Sequence, residues 1–113
     1  MITAVLFREG DNLTGCRLEG HSGRSVAGHD IVCAAVSILG CTCVNSLESV
    51  CGIIPMVEQN DEGILTFHLP SVTKEENEKA QILMKALKQG LDDLTAEFPQ
   101  NVTLSIIERR KQP

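Results

Sequence analysis

Residues 20–40 read GHSGRSVAGHDIVCAAVSILG, and this stretch organises the chain. A glycine-flanked loop carrying His21 runs into Asp30, and an almost uninterrupted apolar segment follows with Cys33 in its first turn. Between Ser22 and Gly28 the only apolar anchor is Val26, a composition that predicts a mobile loop. Asp30 has the side chain of a helix N-cap, although Gly28 or His29 could hold that position. From Ile31 to about Val50 the apolar residues first cover most of the circumference, then narrow to Val44, Leu47 and Val50. That pattern predicts a helix that starts deep in the protein and emerges toward its end. Gly40 costs such a helix about 1 kcal/mol relative to alanine. It predicts a close crossing with a second helix or a partner chain. Gly52 closes the helix.

Upstream, Met1 to Phe7 alternates as a strand does, Gly10-Asp11-Asn12 supplies a turn, and Leu13 to Glu19 continues with Cys16 and Leu18 on one face. Downstream, Ile54 to Val57 and Ile64 to Leu69 flank Asn60-Asp61-Glu62-Gly63, a second hairpin. Leu65, Phe67 and Leu69 point inward there, while Thr66 and His68 point out and His68 reads as surface. Thr73 and Glu76 form a capping box. The helix they start aligns Ala80, Leu83, Leu87, Leu91, Leu94 and Phe98, and Pro99 ends it. Val102, Leu104 and Ile106 alternate as a last strand before Glu108-Arg109-Arg110-Lys111. The order ββαββαβ predicts an α+β, two-layer sandwich with two helices on a mostly antiparallel sheet. At 113 residues the chain makes one domain, 1–113, with one core.

The totals narrow the function. A net charge of −5 without a basic stripe argues against direct nucleic-acid binding and suits a basic polypeptide partner better. Five cysteines is an odd number, and the opening residues do not read as an export signal, so the expected compartment is the reducing cytoplasm. The uncharged run from Ile31 to Val44 is short for a bilayer span, so no membrane role is expected. Cys41 and Cys43, two apart on a helix, diverge and make no zinc half-site. No metal or cofactor is expected.

The chemistry rests on Cys33. With Asp30 as N-cap it is the third helical residue, beside backbone N–H groups that lack internal partners and carry partial positive charge. Thiolate is the nucleophilic form of cysteine, and that setting favours it. The helix end supplies about 1 kcal/mol, at best about 2, and so lowers a thiol pKa by about one. From an ordinary value of about 8.5 that leaves the thiol mostly protonated at neutral pH. A second positive group is needed, and an imidazolium suits, because it also protonates a leaving amine. His21 reaches back over eleven intervening residues, and His29 competes with it as base. The free amides would hold an oxyanion. Asp30 either caps the helix or orients the imidazole. The plainer reading makes Cys33 a small core hydrophobe, as Cys16, Cys41, Cys43 and Cys51 are read to be. His68 is left aside.

Gly20-His21, then Gly28-x-Asp30-Ile31-Val32-Cys33-Ala34-Ala35-Val36-Ser37, resembles the signature of the bacterial ribosomal-processing cysteine protease family, Prp. The resemblance implies removal of a short N-terminal extension from large-subunit ribosomal protein twenty-seven, cut after an aromatic residue. By position, His21 resembles the general base and Cys33 the nucleophile, with Gly20, Gly28, Asp30 and Ser37 as supporting or substrate-binding positions. It implies a homodimer as well, for which Gly40 and the apolar helix offer a place. The other class of reading is a non-catalytic, ribosome-associated binding module for a basic ribosomal-protein tail, with Cys33 in the core. A redox-sensing thiol is a third, disfavoured because no resolving cysteine lies near Cys33 in sequence.

Overall fold

The computed structural model describes residues 1–20, 29–61 and 63–109, with positions 29 and 30 described by their backbone. The elements are β1 (Ile2–Glu9), β2 (Asn12–Glu19), α1 (His29–Ser49), β3 (Met56–Gln59), β4 (Ile64–His68), α2 (Lys74–Glu97) and β5 (Val102–Glu108). The five strands form one sheet in the order β3-β4-β2-β1-β5. Every pairing is antiparallel except β1 with β5. The α+β sandwich and the order ββαββαβ stand as read from the sequence.

The pairings explain why the helices share a layer. β2 and β3 both run antiparallel to β4, so α1 joins two like-directed strands by crossing over the one between them. α2 does the same from β4 to β5, crossing β2 and β1. Cross-strand rows follow from the register. Leu104, Ala4, Leu18, Leu65 and Gln59 line up beneath the helices, and beside them Ile106, Leu6, Cys16, Phe67 and Val57. The central members of both rows are buried and the end members, on edge strands, are more open.

Turn chemistry fixes the register. Gly10 holds φ +59° at the first position of the two-residue β1–β2 connection, a place most residues occupy only with strain. The register then slips between Phe7 and Arg8, a bulge that returns Leu13 to the inner face. Gln81 of α2 is buried against that bulge. Its Oε1 accepts from Leu13 N–H and its Nε2 donates to Leu13 C=O, both at 2.8 Å, as a neighbouring strand would. At the second hairpin the Asn60 side chain accepts from Ile64 N–H at 3.1 Å, and Gly63 takes φ +84°.

The α2 capping box is complete. Thr73 Oγ1 accepts from Glu76 N–H at 3.1 Å, and the Glu76 carboxylate accepts from Thr73 N–H at 2.8 Å, which holds that carboxyl below its usual range. Such a cap is worth about 1 kcal/mol. At the end of α1, Gly52 turns the chain at φ +70°, and Gly52 and Ile53 N–H groups donate to the Glu48 and Leu47 carbonyls at 3.0 and 2.8 Å.

α1 departs from the sequence reading in three ways. It begins at His29, so Asp30 is already helical rather than its N-cap. It does not start deep: Val32, Val36, Gly40, Cys43 and Leu47 are buried, while Ile31 and Ile38 are 70% and 64% exposed. Val50, read as part of the apolar face, is exposed too. One stripe of the helix is covered, and the opposite side is not. Third, Gly40 faces the sheet instead of a helix or partner. The close helix crossing is at Gly90 of α2, where an added β-carbon would stand 2.7 Å from Leu39 Cδ2. By length and apolarity Ile31–Ser49, 19 residues at mean hydropathy 1.7, would suffice for a bilayer span. Here it is a crossover with one stripe in the core.

The outer face of the sheet also carries a row across all strands: Ile107, Phe7, Gly15, His68 and Met56. His68 is half-buried rather than simple surface. It leans over Gly15, where a β-carbon would stand 2.5 Å from its Nδ1, and stacks on Phe7 with ring centroids 5.3 Å apart. The Arg109 guanidinium lies 4.2 Å from the centre of the same ring.

Candidate active site

An apolar groove of about 120 Å³ opens between the first half of α1 and the strands. The helix contributes Cys33, Val36, Ser37 and Cys41. Positions 33, 37 and 41 recur every four residues, close to one helical turn, so their side chains stack along one flank. From the sheet, Leu18 and Leu65 lie beneath it, and Gln59, Gly63 and Gly20 border it. The rim is tied together by Gly20 N–H donating to Gly63 C=O at 3.3 Å.

Cys33 is half-buried on this groove wall and is packed partly against the core. Because α1 starts at His29, Cys33 is the fifth helical residue and not the third. Within the helix, the N–H groups without helical acceptors are then those of 29 to 31. Side chains on a helix lean over the preceding turn, so a thiol at 33 still belongs to the electropositive end.

Of the other site residues read from the sequence, Ser37 is exposed one turn further on and borders the same groove, as does Gly20. Asp30 has its backbone in the first turn of α1. His21, Gly28 and the 22–28 loop lie outside the described residues, as does the Asp30 side chain. The structure thus brings Cys33, Ser37 and Gly20 together.

Cys41, which the sequence reading places in the core, is instead a half-buried groove residue. The four-residue spacing from Cys33 through Ser37 was the available signal. Gln59, Gly63 and Ile64 carried none, since their place depends on sheet order. The remaining thiols differ. None of the five cysteines is disulfide-bonded. Burial, reinforced by the neighbouring Cys43, pushes the Cys16 thiol up to about 12, and burial with Cys51 nearby pushes Cys43 up to about 11. Cys43 Sγ sits 3.8 Å from Met84 Sδ, a core contact. Among the described residues no three His, Cys, Asp or Glu side chains are grouped to hold a metal.

Comparison with known proteins points the same way as the geometry. The family model described as cysteine protease Prp matches residues 1–103. The ribosomal processing cysteine protease Prp of Bacillus subtilis (strain 168) is 30% identical over 112 residues, covering 95% of this chain and all of that protein. The protein of that name from Staphylococcus aureus is 28% identical over 106 residues, 93% of this chain and 98% of its own. Among solved structures, SMU.848 from Streptococcus mutans superposes with a TM-score of 0.88 at 34% identity, covering 96% of each chain. Prp from S. aureus in complex with a substrate peptide superposes at 0.82 and 23% identity, covering 94% of this chain and 99% of that one, a likeness of fold.

Proposed function

Because the chain belongs to the Prp family of cysteine proteases, we propose that it is the endopeptidase that trims the N-terminal extension of large-subunit ribosomal protein twenty-seven after an aromatic residue. The observation that carries this reading is Cys33, half-buried at the start of α1 on the wall of an apolar groove. In the proposed reaction His21 holds the proton of Cys33 and the resulting thiolate attacks the scissile carbonyl. The negative charge passes to the carbonyl oxygen, facing the free amides of the helix start. His21 then gives its proton to the departing amine, and a thioester joins the extension to Cys33. Water, deprotonated by His21, releases the extension and restores the thiol. Gly20 and Ser37 border the bound peptide in this scheme, and Gly28 and Asp30 support the approach of the loop. The groove sits on the inner face of a five-stranded sheet, and its apolar floor suits an aromatic side chain. The reading includes a cytoplasmic homodimer, testable by light scattering on the purified protein.

The decisive experiment incubates purified protein with the extended ribosomal protein and weighs the product. Cys33→Ala and His21→Ala are each expected to lower the cleavage rate by at least about 10³-fold, the scale of losing a nucleophile or its base, with unchanged thermal melts. Cleavage by Cys33→Ala at the wild-type rate would rule out the protease reading and leave a binding module for the basic tail.

A further inference from the structure

The floor of the groove depends on a residue that it does not expose. Gly40 is buried, and a β-carbon there would stand 2.5 Å from Leu18 Cδ1 and 3.1 Å from Leu65 Cδ2. Those two leucines lie under the groove. Both close atoms are the ends of flexible side chains, so a methyl at 40 is accommodated by moving the leucine tips rather than by breaking the fold. Their room to move is limited. Ala4, beside Leu18 in the same cross-strand row, is fully buried in a packed core. The groove that both leucines line offers open volume within their reach.

That volume is of a meaningful size. An apolar cavity of about 150 Å³ holds benzene, and the groove at about 120 Å³ holds roughly one side chain of that class. Cys33 is part of its lining, so the side chain that enters belongs to a residue next to the carbonyl under attack. A displaced leucine methyl then competes directly with the tip of an aromatic ring and leaves room for a methyl-sized substrate side chain.

We infer that Gly40, without touching substrate, sets how large an apolar side chain the groove accepts at the residue preceding the cut. This rests on the protease reading above. Gly40 is a positioning residue, acting through Leu18 and Leu65.

The test measures binding in the Cys33→Ala protein, with two synthetic hexapeptides identical save for Phe or Ala at the last position. With Gly40 present the Phe peptide is expected to bind at least fivefold more tightly. Gly40→Ala is expected to bring that ratio down to within twofold of one, while affinity for the Ala peptide changes by less than twofold. The volume-conserving pair Gly40→Ala with Leu18→Val is expected to restore the preference, which a general loss of helix or sheet structure would not do. An unchanged ratio, a parallel weakening of both peptides, or no Phe preference with Gly40 present overturns the inference. Should Gly40→Ala fail to fold, Leu18→Val alone must bind a Trp-terminated hexapeptide more tightly than the protein with Leu18 does, and failure there overturns it as well. Cleavage by the Cys33 protein of longer peptides carrying the same Phe or Ala residue is scored separately. No cleavage alongside an intact, Gly40-dependent preference rejects the protease reading and keeps the size rule.

Discussion

Cys41 and Cys43 stand two positions apart on α1 and have opposite surroundings. Cys41 borders the groove and is half-buried, while Cys43 is buried against Met84 with its thiol pushed up to about 11. Two residues turn a helix by about 200°, so a single element presents thiols to both the groove and the core. Composition treats Cys33, Cys41 and Cys43 of α1 alike, and helical phase separates them. Thiol exposure along α1 is therefore a matter of angle around the helix rather than of local sequence.

Alkylation of the native protein is the sharpest way to break that comparison. At pH 7 a thiol of pKa about 12 is ionised roughly once in 10⁵ molecules (12 − 7 = 5), and one of about 11 roughly once in 10⁴ (11 − 7 = 4). Burial adds a steric barrier. Iodoacetamide followed by peptide mass mapping is expected to label Cys33 and Cys41, with Cys16 and Cys43 slower by at least about 10³-fold until the protein unfolds. Under the proposed mechanism Cys33 labelling persists below pH 7, because its thiolate is paired with an imidazolium. Equal labelling of Cys41 and Cys43 in the folded protein would end the contrast.

Serine substitution applies the same contrast to stability. At Cys16, fully buried between Leu6 and Phe67 in its cross-strand row, serine buries a hydroxyl without a prepared partner. The expected cost is about 1–3 kcal/mol, a drop in melting temperature of about 4–8 °C per kcal/mol for a domain of this size. At Cys41 the same change is expected to stay within about 0.5 kcal/mol. A Cys16→Ser protein that melts with the wild type would mean that this part of the core is not packed as described.

These contrasts also show what the sequence could reveal. The hairpins, the capping box and the element order were legible because each is written within a few residues: Gly10-Asp11-Asn12, Asn60 with Gly63, Thr73 with Glu76. What escaped was set by partners distant along the chain. Gln81 reads as a polar interruption of a helical stripe until the bulge at Leu13 supplies its two backbone partners. Gly40 and Gly90 are both helix-interior glycines, and nothing local tells which meets leucines of the sheet and which meets Leu39. The groove followed the same rule. Cys33 and Ser37 share its wall through the helix that carries them, whereas Gln59 and Gly63 reach it only because β4 lies next to β2.

His68 offers the smallest expected effect and concerns the face of the sheet away from the groove. Its ring is stacked on Phe7, and the Arg109 guanidinium also lies over the Phe7 ring. Burial lowers its pKa below 6.5 and Arg109 lowers it further, while Glu58 on β3 acts in the opposite direction. The folded protein therefore binds this proton less readily than the unfolded chain does. Between the two pKa values the unfolded state carries more protons, so stability rises with pH through that window. The contribution is fully present above about 6.5 and is lost as pH falls through the folded value. Melting temperatures measured from pH 7.5 to 5 are expected to decline more steeply for the wild type than for His68→Phe, which keeps an aromatic ring on Phe7 and cannot titrate. The carboxylates of Glu76 and Glu108 are held below their usual range by hydrogen bonds, so both proteins share the decline that those groups add at lower pH. Parallel curves for the two proteins would mean that Arg109 and Phe7 do not hold His68 neutral, and that the stack is a packing contact only.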